Sequence, residues 1–225
     1  MITLHHVPQS RSMRVLWLLH ELEDELGEEF RVVEHPFDKT LKTPEFLSQS
    51  PAGRVPALEI EGERMFESGA MVEYLCERFP ERGLGRLPGD MDRMAWLVWV
   101  HFAETVSQHV AALTRQYVTL AEEQRSPVVI DLEVARLREC YGAIEARLST
   151  PIENRDYLLT AGYSAADICV GQAVYMAQHF VPLDGFDELA AWYERLSERE
   201  TFQKSLPGPE SGRLYEQPFY PAPGA

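Results

Sequence analysis

The feature that most restricts the fold of this chain is a Val-Pro pair, Val55-Pro56, which opens a short apolar segment over residues 55–60. Proline cannot donate a backbone hydrogen bond to a sheet, so it belongs at the start of a strand or on a sheet edge. A tight turn is predicted at Glu61-Gly62-Glu63, before a second short strand around Met65-Phe66. The segment is therefore predicted to form a β-hairpin whose first strand begins at a proline.

The same segment also predicts a place for a peptide-like ligand. If the Val55–Pro56 bond is cis, the chain turns sharply and exposes the backbone N–H and C=O of Val55, which can pair with an extended peptide. Glu67 and Ser68 follow the hairpin, with Ser68 expected at a helix N-cap, where the two can hold the far end of that peptide. The motif indicates a site for a small acidic peptide. An ordinary hairpin with structural Pro and Ser residues is an equal alternative.

Composition excludes several other classes of function. The net charge is −15, and no cluster of Lys and Arg of the kind that binds phosphate groups is present, so neither nucleic acid nor an anionic membrane is an expected partner. No apolar run approaches the roughly 18 residues that a membrane-spanning helix needs. The cysteines are far apart in apolar sequence, which predicts reduced core residues of a cytoplasmic protein: Cys76, Cys140 and Cys169.

The chain changes character near residue 83. Residues 1–82 alternate between strands and helices, which predicts a small mixed α/β domain, and residues 83–90 form a linker rich in Gly and Pro. Residues 91–206 are predicted to be all helical, and residues 207–225 form a Pro- and Gly-rich tail. Strands are predicted at residues 2–7 and 31–35, and helices at residues 12–26, 43–48, 68–79, 91–121, 131–148, 165–180 and 187–198.

One segment of the helical half predicts a folding element. Ser164 and Asp167 have the spacing of a capping box, in which each side chain bonds the backbone N–H of the other residue. Tyr163 and Ile168 occupy the two positions of a hydrophobic staple around it. We expect no catalytic role for this segment.

Taken together, these segments resemble the cytosolic glutathione transferase family, in its bacterial, serine-dependent, theta- or beta-like form. The resemblance covers nearly the whole chain. It rests on Ser-Pro-Ala-Gly-Arg-Val-Pro-Ala-Leu at 50–58, Glu-Ser-Gly-Ala at 67–70, Trp-Val-His-Phe-Ala-Glu at 99–104 and Tyr-Ser-Ala-Ala-Asp-Ile at 163–168. It implies a thioredoxin-like N-terminal domain, an all-helical C-terminal domain, a cis Pro56 and a homodimer.

The resemblance implies an enzyme that activates the glutathione thiolate for attack on an electrophilic, largely apolar small molecule. In serine-type members the active serine stands four residues before an arginine of the first helix, and Ser10 has this spacing from Arg14. A hydroxyl donating to sulfur and the positive end of a helix both stabilise a thiolate, which is the nucleophilic form. Ser12 is the alternative hydroxyl, and either serine could instead be a helix N-cap.

The remaining glutathione contacts also follow from the resemblance. Val55 would pair with the cysteinyl residue, Glu67 would bind the γ-glutamyl ammonium and Ser68 the γ-glutamyl carboxylate. Glu104, in the first long helix of the second domain, could reach the glutathione of the partner subunit. The glycine carboxylate needs a cation near the second strand, and the candidates are Lys39, Lys42 and Arg54.

The second substrate would occupy a pocket lined by His109, Leu113 and Tyr117, with the tail segment Phe219-Tyr220-Pro221 as a candidate cover. No metal or other cofactor is expected, because adjacent strand residues such as His5 and His6 point to opposite faces of a sheet. Two alternatives stay open: a non-catalytic glutathione-binding or regulatory protein, and a glutathione-dependent peroxidase, isomerase or dehalogenase.

Overall fold

The computed structural model describes residues 1–26, 30–150 and 156–222. The chain divides into two compact units. The first contains Met1–Asp90 and Glu198–Leu214, and the second contains Met91–Ser197 and Tyr215–Ala225. The predicted helical domain extended to residue 206, whereas the structure assigns Glu198–Leu214 to the first unit.

The first unit is built on one mixed four-stranded sheet in the order β2-β1-β3-β4. Strand β1 runs parallel to β2 and antiparallel to β3, and β3 pairs antiparallel with β4. The order βαβ followed by αββα agrees with the predicted mixed α/β domain. The strands are β1 Ile2–His6, β2 Arg31–Glu34, β3 Ala57–Ile60 and β4 Glu63–Phe66.

The hairpin between β3 and β4 has the predicted turn. Its two central residues, Glu61 and Gly62, have φ values of 54° and 85°. Positive φ at both positions is what a two-residue turn requires when it must match the twist of the flanking strands. The hairpin therefore places Glu67 and Ser68 directly after β4, at the start of the next helix.

The helices of the first unit mostly follow the predicted ranges. The predicted helix over residues 12–26 is divided at Leu22, which is the C-cap of α1. Helix α3 begins as expected, because Pro44 occupies its first turn and the Thr43 hydroxyl accepts the Phe46 N–H at 3.4 Å. The helices are α1 Met13–Glu21, α2 Glu23–Leu26, α3 Pro44–Leu47, α4 Ser68–Arg78 and α9 Glu200–Ser205, with 3₁₀ turns at Lys39–Lys42 and Pro80–Arg82.

Helix α9 joins the first unit because it packs on α1. The Phe202 ring meets the Trp17 ring edge-to-face, with centroids 5.0 Å apart. The buried carboxylate of Glu21 accepts two hydrogen bonds from Arg199, at 3.0 and 2.9 Å, and one from the Trp17 indole at 3.3 Å. The contacts that Phe202 and Arg199 make with α1 join residues about 180 positions apart, so no local sequence signal predicted them.

The second unit is helical. Helix α6 begins at Pro127, earlier than the predicted residue 131, because the Ser126 hydroxyl caps the Val129 N–H and proline fits the first turn of a helix. Helix α5 is followed by a π-helical turn at Arg115–Thr119 and a 3₁₀ turn at Glu122–Gln124. The helices are α5 Arg93–Thr114, α6 Pro127–Leu148, α7 Ala165–Ala177 and α8 Asp187–Ser197.

The predicted capping box is present at the start of α7. The Asp167 carboxylate accepts the Ser164 N–H at 2.9 Å, and the Ser164 hydroxyl accepts the Ala166 N–H at 3.3 Å. Asp167 also accepts the Leu158 N–H at 2.9 Å and the Trp192 indole N–H at 3.0 Å. Complete burial raises the pKa of Asp167 to about 6, although these hydrogen bonds pull it downward.

Two further features concern the core and the helix lengths. All three cysteines are buried free thiols, as predicted. Within the described parts of the chain, none of the helices combines the length and the apolar character that crossing a bilayer requires.

Candidate functional site

The junction between β1 and α1 contains a chain of three hydrogen-bonded side chains. Ser12 is completely buried, and its Oγ lies 2.7 Å from His6 Nδ1 and 2.7 Å from Ser10 Oγ. The Val7 N–H donates to the same Ser12 oxygen at 3.2 Å, and the Val7 carbonyl lies 3.2 Å from it. Ser12 therefore bridges the end of β1 and the residue expected to contact the thiol.

Ser10 is only half-buried, in contrast to Ser12. Its Oγ accepts the backbone N–H of Ser12 at 3.2 Å in addition to the contact with the Ser12 hydroxyl. Ser12 occupies the N-cap position of α1, but its side chain makes no capping hydrogen bond. Of the two candidate serines, Ser10 is therefore the more exposed.

Two basic side chains next to this junction in the sequence, His6 and Arg14, are buried. Burial lowers the pKa of His6 to about 4, so its imidazole is neutral near pH 7. The Arg14 side chain is fully buried, and its Nη1 donates to Ser68 Oγ at 3.4 Å. Arg14 thus connects α1, which follows Ser10, with the first residue of α4.

The Val55–Pro56 peptide bond is cis, which confirms the expectation from the sequence. Val55 is half-buried and packs against a small apolar cluster formed by Val7, Leu41 and Phe46. Val7, the residue after β1, belongs to this cluster and also contacts the Ser12 hydroxyl through its backbone. Val55 and Ser12 therefore both contact Val7.

The N-cap of helix α4 lies one residue earlier than expected. Ser68 was predicted to be this N-cap, but the N-cap is Glu67. Ser68 is the first helical residue and is buried, while Glu67 is the N-cap and is exposed. The φ of Glu67 is 78°, an uncommon value for a residue other than glycine, which costs about 1–3 kcal/mol. Strained backbone conformations cluster at ligand-binding sites, which favours Glu67 as a candidate binding residue.

The loop before the Val-Pro pair is held by Lys42. Its ammonium donates to the carbonyls of Ala52 and Gly53, both at 2.9 Å. Gly53 has a φ of 59°, and a Cβ there would lie 2.7 Å from the Leu41 carbonyl. The Lys42 ammonium therefore has a structural role, because it binds the backbone of this loop. Lys39 and Arg54 are exposed on the same unit.

The residues predicted to line the pocket of the second substrate all belong to the second unit, and each has its own set of neighbours. His109 is buried, and its Nδ1 lies 2.6 Å from the Glu133 carboxylate of α6, beside a groove of about 530 Å³. Leu113 is fully buried. Tyr117 donates to the Pro221 carbonyl at 2.7 Å and lies with its ring against those of Phe180 and Tyr220.

The placement of His109, Leu113 and Tyr117 around the second substrate stays a prediction. They are spaced four residues apart, as if on one face of an α-helix, but α5 ends at Thr114 and Tyr117 lies in the π-helical turn. Glu104 lies on α5 and is partly exposed.

The tail packs against the second unit from Tyr215 onward. Tyr220 is buried, its backbone N–H donates to the His179 carbonyl at 2.8 Å, and its hydroxyl accepts the N–H groups of Glu216 and Gln217. Among the residues that the structure describes, no group of three or more His, Cys, Asp or Glu side chains could hold a metal ion.

His6 is the one residue of this constellation that the sequence did not suggest as a functional residue. Its contact with Ser12 depends on the path of the chain between them, where Gln9 adopts a φ of 57°. The only available signal was that His6 ends β1 and stands four residues before Ser10.

Two sequence profiles of one family match the chain: the glutathione S-transferase N-terminal domain at residues 4–83 and the glutathione S-transferase C-terminal domain at residues 110–200. A glutathione S-transferase of Arabidopsis thaliana is 28% identical over 205 residues, which cover 87% of this chain and 90% of the relative.

Solved structures of the same family are similar over nearly the whole chain. A glutathione transferase of Populus trichocarpa has 28% identity and a TM-score of 0.72, covering 91% of this chain and 97% of its own. A glutathione transferase of Phanerochaete chrysosporium, solved with oxidised glutathione, has 26% identity and a TM-score of 0.78, covering 91% and 92%. The chain belongs to the glutathione S-transferase family, and the predicted fold, a thioredoxin-like domain followed by an all-helical domain, is confirmed.

Proposed function

We propose that this protein is a glutathione transferase that binds reduced glutathione and activates its sulfur for attack on an electrophilic, largely apolar small molecule. The family membership supports the general activity. The observation that carries the residue assignment is the half-buried Ser10 hydroxyl at the β1–α1 junction, backed by the buried Ser12. Glutathione is the co-substrate, and the proposal includes no other cofactor.

Ser10 is the proposed catalytic residue, because its hydroxyl is the accessible one of the pair. A free thiol with a pKa near 8.5 is mostly protonated at neutral pH. A hydrogen bond from Ser10 to the sulfur stabilises the thiolate relative to the thiol, and the thiol proton passes to solvent. Ser12, which is completely buried, is proposed to support Ser10 rather than to contact glutathione.

The γ-glutamyl end of glutathione is proposed to lie at the start of α4. Ser68 would bind its carboxylate, with help from the N-terminal N–H groups of the helix and the Arg14 guanidinium that contacts Ser68. Glu67 would bind its ammonium. This local positive region offsets the net charge of −15, which by itself repels an anionic ligand.

The backbone of Val55 is proposed to pair with the cysteinyl residue. For the glycine carboxylate we favour Arg54 and Lys39 over Lys42, because the Lys42 ammonium already bonds two loop carbonyls. Arg54 is next to Val55 in sequence and is exposed. The proposal also includes a cytoplasmic homodimer in which Glu104 reaches the glutathione of the partner subunit.

Calorimetric titration with reduced glutathione tests the assignment. We expect saturable binding to the unmodified protein and a loss of at least roughly tenfold in affinity for Glu67→Ala, because a hydrogen bond to a charged group is removed. Ser10→Ala should retain most of the affinity but lose turnover of an aryl halide. Glu45→Ala is the matched control, an exposed acidic residue elsewhere on the same unit.

The absence of binding at millimolar glutathione would contradict the proposed function. Equal affinity of Glu67→Ala and Glu45→Ala would contradict the placement of the γ-glutamyl end. Full turnover by Ser10→Ala would remove Ser10 from the catalytic role.

A further inference from the structure

We propose that His5 and His35 form a proton-sensitive support of the glutathione site, in which one hydrogen bond between the two imidazoles keeps Phe46 in the cluster that contacts Val55. The inference rests on the proposed function, since it concerns the place where Val55 would pair with glutathione. Both histidines would be positioning residues, because they act on that place only through Phe46.

The two histidines lie at the ends of neighbouring parallel strands. His5 belongs to β1, and His35 directly follows β2. Both are half-buried, and His5 Nδ1 lies 2.8 Å from His35 Nε2. The ring planes differ by 22°, with the centroids 5.1 Å apart. The imidazoles are therefore joined by one hydrogen bond between nitrogen atoms.

The protonation state of the pair decides whether this hydrogen bond can form. A neutral imidazole has one N–H donor and one nitrogen acceptor, whereas an imidazolium has two donors and no acceptor. Two neutral rings can form the bond, and so can one neutral ring with one imidazolium. Two imidazolium rings cannot, because an N–H of one would face an N–H of the other at 2.8 Å. The contact therefore tolerates one additional proton and breaks with two.

The surroundings of the pair oppose protonation. Burial is the main cause that lowers the pKa of both imidazoles from the usual value of 6.5. The charge of His35 also lowers the pKa of His5. Glu59 raises it, and the positive charges of Arg31 and Arg64 lower it again. The folded arrangement therefore takes up protons less readily than separated imidazoles do.

Phe46 connects the pair to the proposed glutathione site. Its buried ring meets both imidazoles edge-on, with centroids 5.8 Å from His5 and 5.0 Å from His35. Together with Leu41, Phe46 belongs to the apolar cluster against which Val55 packs. Phe46 therefore contacts both the imidazole pair and the residues that support Val55.

Acid should consequently loosen helix α3, which carries Phe46. When α3 opens, both imidazoles can be protonated, whereas the closed arrangement holds at most one imidazolium. Because the opened state takes up the additional proton, its population should rise as the pH falls below the usual histidine pKa of about 6.5, by up to about tenfold per pH unit for each proton. A ligand that binds only the closed arrangement should reduce the opening.

Amide hydrogen exchange measures this opening directly. The reporters are the Leu47 N–H, which donates to the Thr43 carbonyl at 2.9 Å, and the Ser50 N–H, which donates to the Phe46 carbonyl at 2.9 Å. After correction for the intrinsic effect of pH on exchange, we expect the opening constant to rise about tenfold or more from pH 7 to pH 5.5. S-methylglutathione, which has no thiol proton, should lower it about tenfold at about ten times its Kd.

His35→Gln separates the role of the proton from the role of the contact. The glutamine amide can offer either an N–H or an oxygen near the position of Nε2, so it pairs with His5 in both protonation states. The opening constant at pH 7 should stay unchanged, and its rise at pH 5.5 should be about threefold or less. His5→Asn makes the equivalent change at Nδ1 and provides the test if His35→Gln does not fold. His20→Gln, at another half-buried histidine of the first unit, is the matched control and should keep the full rise.

An opening constant that does not change with pH in the unmodified protein would overturn the inference, and so would the same rise in His35→Gln and His20→Gln. No effect of bound S-methylglutathione would overturn it as well, because Phe46 would then not be coupled to the glutathione site. The proposed function stands in each of these cases if calorimetry shows glutathione binding. Absence of glutathione binding would overturn the proposed function and, with it, the role of the pair as a support of that site.

Discussion

Two helices of this protein, α1 and α7, follow a serine that belongs to a buried hydrogen-bond network, and the two networks end differently. At α7, Ser164 and Asp167 are both completely buried, and the donors that surround the carboxylate come from the protein itself. At α1, the network of His6 and Ser12 leads to Ser10, which is half-buried. The first arrangement is closed within the core, whereas the second ends at the half-buried serine that we propose as the contact of the glutathione sulfur.

The comparison explains why similar sequence features have different consequences. A serine before a helix usually caps it, and Ser164 does so. Ser12 occupies the N-cap position of α1, but its hydroxyl is used by His6, Val7 and Ser10 instead of by the helix. The side-chain cap is therefore absent at the helix that follows the proposed catalytic serine.

The largest effect should come from removing the carboxylate of the closed network. Asp167→Ala leaves the N–H groups of Leu158, Ser164 and Trp192 without their acceptor inside the core. Because each unsatisfied buried group costs about 1–3 kcal/mol, we expect a loss of about 3 kcal/mol or more in the free energy of unfolding, measured by chemical denaturation. Asp131→Ala, an exposed carboxylate on α6, is the control and should stay within about 0.5 kcal/mol.

An acid titration should reveal the buried imidazole at the α1 network. The pKa of His6 falls from 6.5 to about 4 on folding, so the unfolded chain binds the additional proton first. Stability should therefore decrease as the pH falls from about 6.5 to 4, with His6 contributing about 3 kcal/mol of that loss.

The matched measurement is the same titration on His6→Asn. Because other histidines remain, this variant should lose stability with acid as well, but with a shallower slope than the unmodified protein. Identical slopes for the two proteins would show that His6 is not held neutral by burial.

A pair of serine substitutions gives the smallest and most direct contrast. Ser164→Ala should lower the free energy of unfolding by about 1–2 kcal/mol, the usual cost of a lost N-cap. Ser10→Ala should cost less stability, about 0.5–1 kcal/mol, because it removes hydrogen bonds of a half-buried group. Turnover should follow the reverse order, with a large loss in Ser10→Ala and little in Ser164→Ala when both are assayed folded.

Much of this comparison could be predicted from the sequence, since its signals are local. The Val-Pro pair, the turn at Glu61-Gly62-Glu63 and the capping box of Ser164 and Asp167 each depend on residues close in sequence. The mixed α/β half, the helical half and most element positions followed from hydrophobic spacing and turn residues, whereas the thioredoxin-like fold was implied by the resemblance to the family. The N-cap of α4 was predicted at Ser68 but lies at Glu67, because backbone angles decide the cap position.

What could not be predicted depends on contacts between distant residues or on irregular backbone. The packing of Phe202 on Trp17 brings α9 into the first unit, and no pattern near either residue indicates it. The regular helix α5 ends at Thr114 and continues as a π-helical turn over Arg115–Thr119, where the hydrophobic spacing had predicted one helix to residue 121. His6 and Ser12 are in contact across a turn in which Gln9 has a positive φ, and the sequence does not predict that backbone angle.

The measurement that tests the account most directly is the pKa of the glutathione thiol in complex with the unmodified protein and with Ser10→Ala. The account predicts a thiol pKa below the value of about 8.5 for a free thiol in the unmodified complex. In Ser10→Ala it predicts a rise of roughly one to two units with little change in affinity. The same thiol pKa in both complexes would contradict the claim that the hydroxyl of Ser10 stabilises the thiolate.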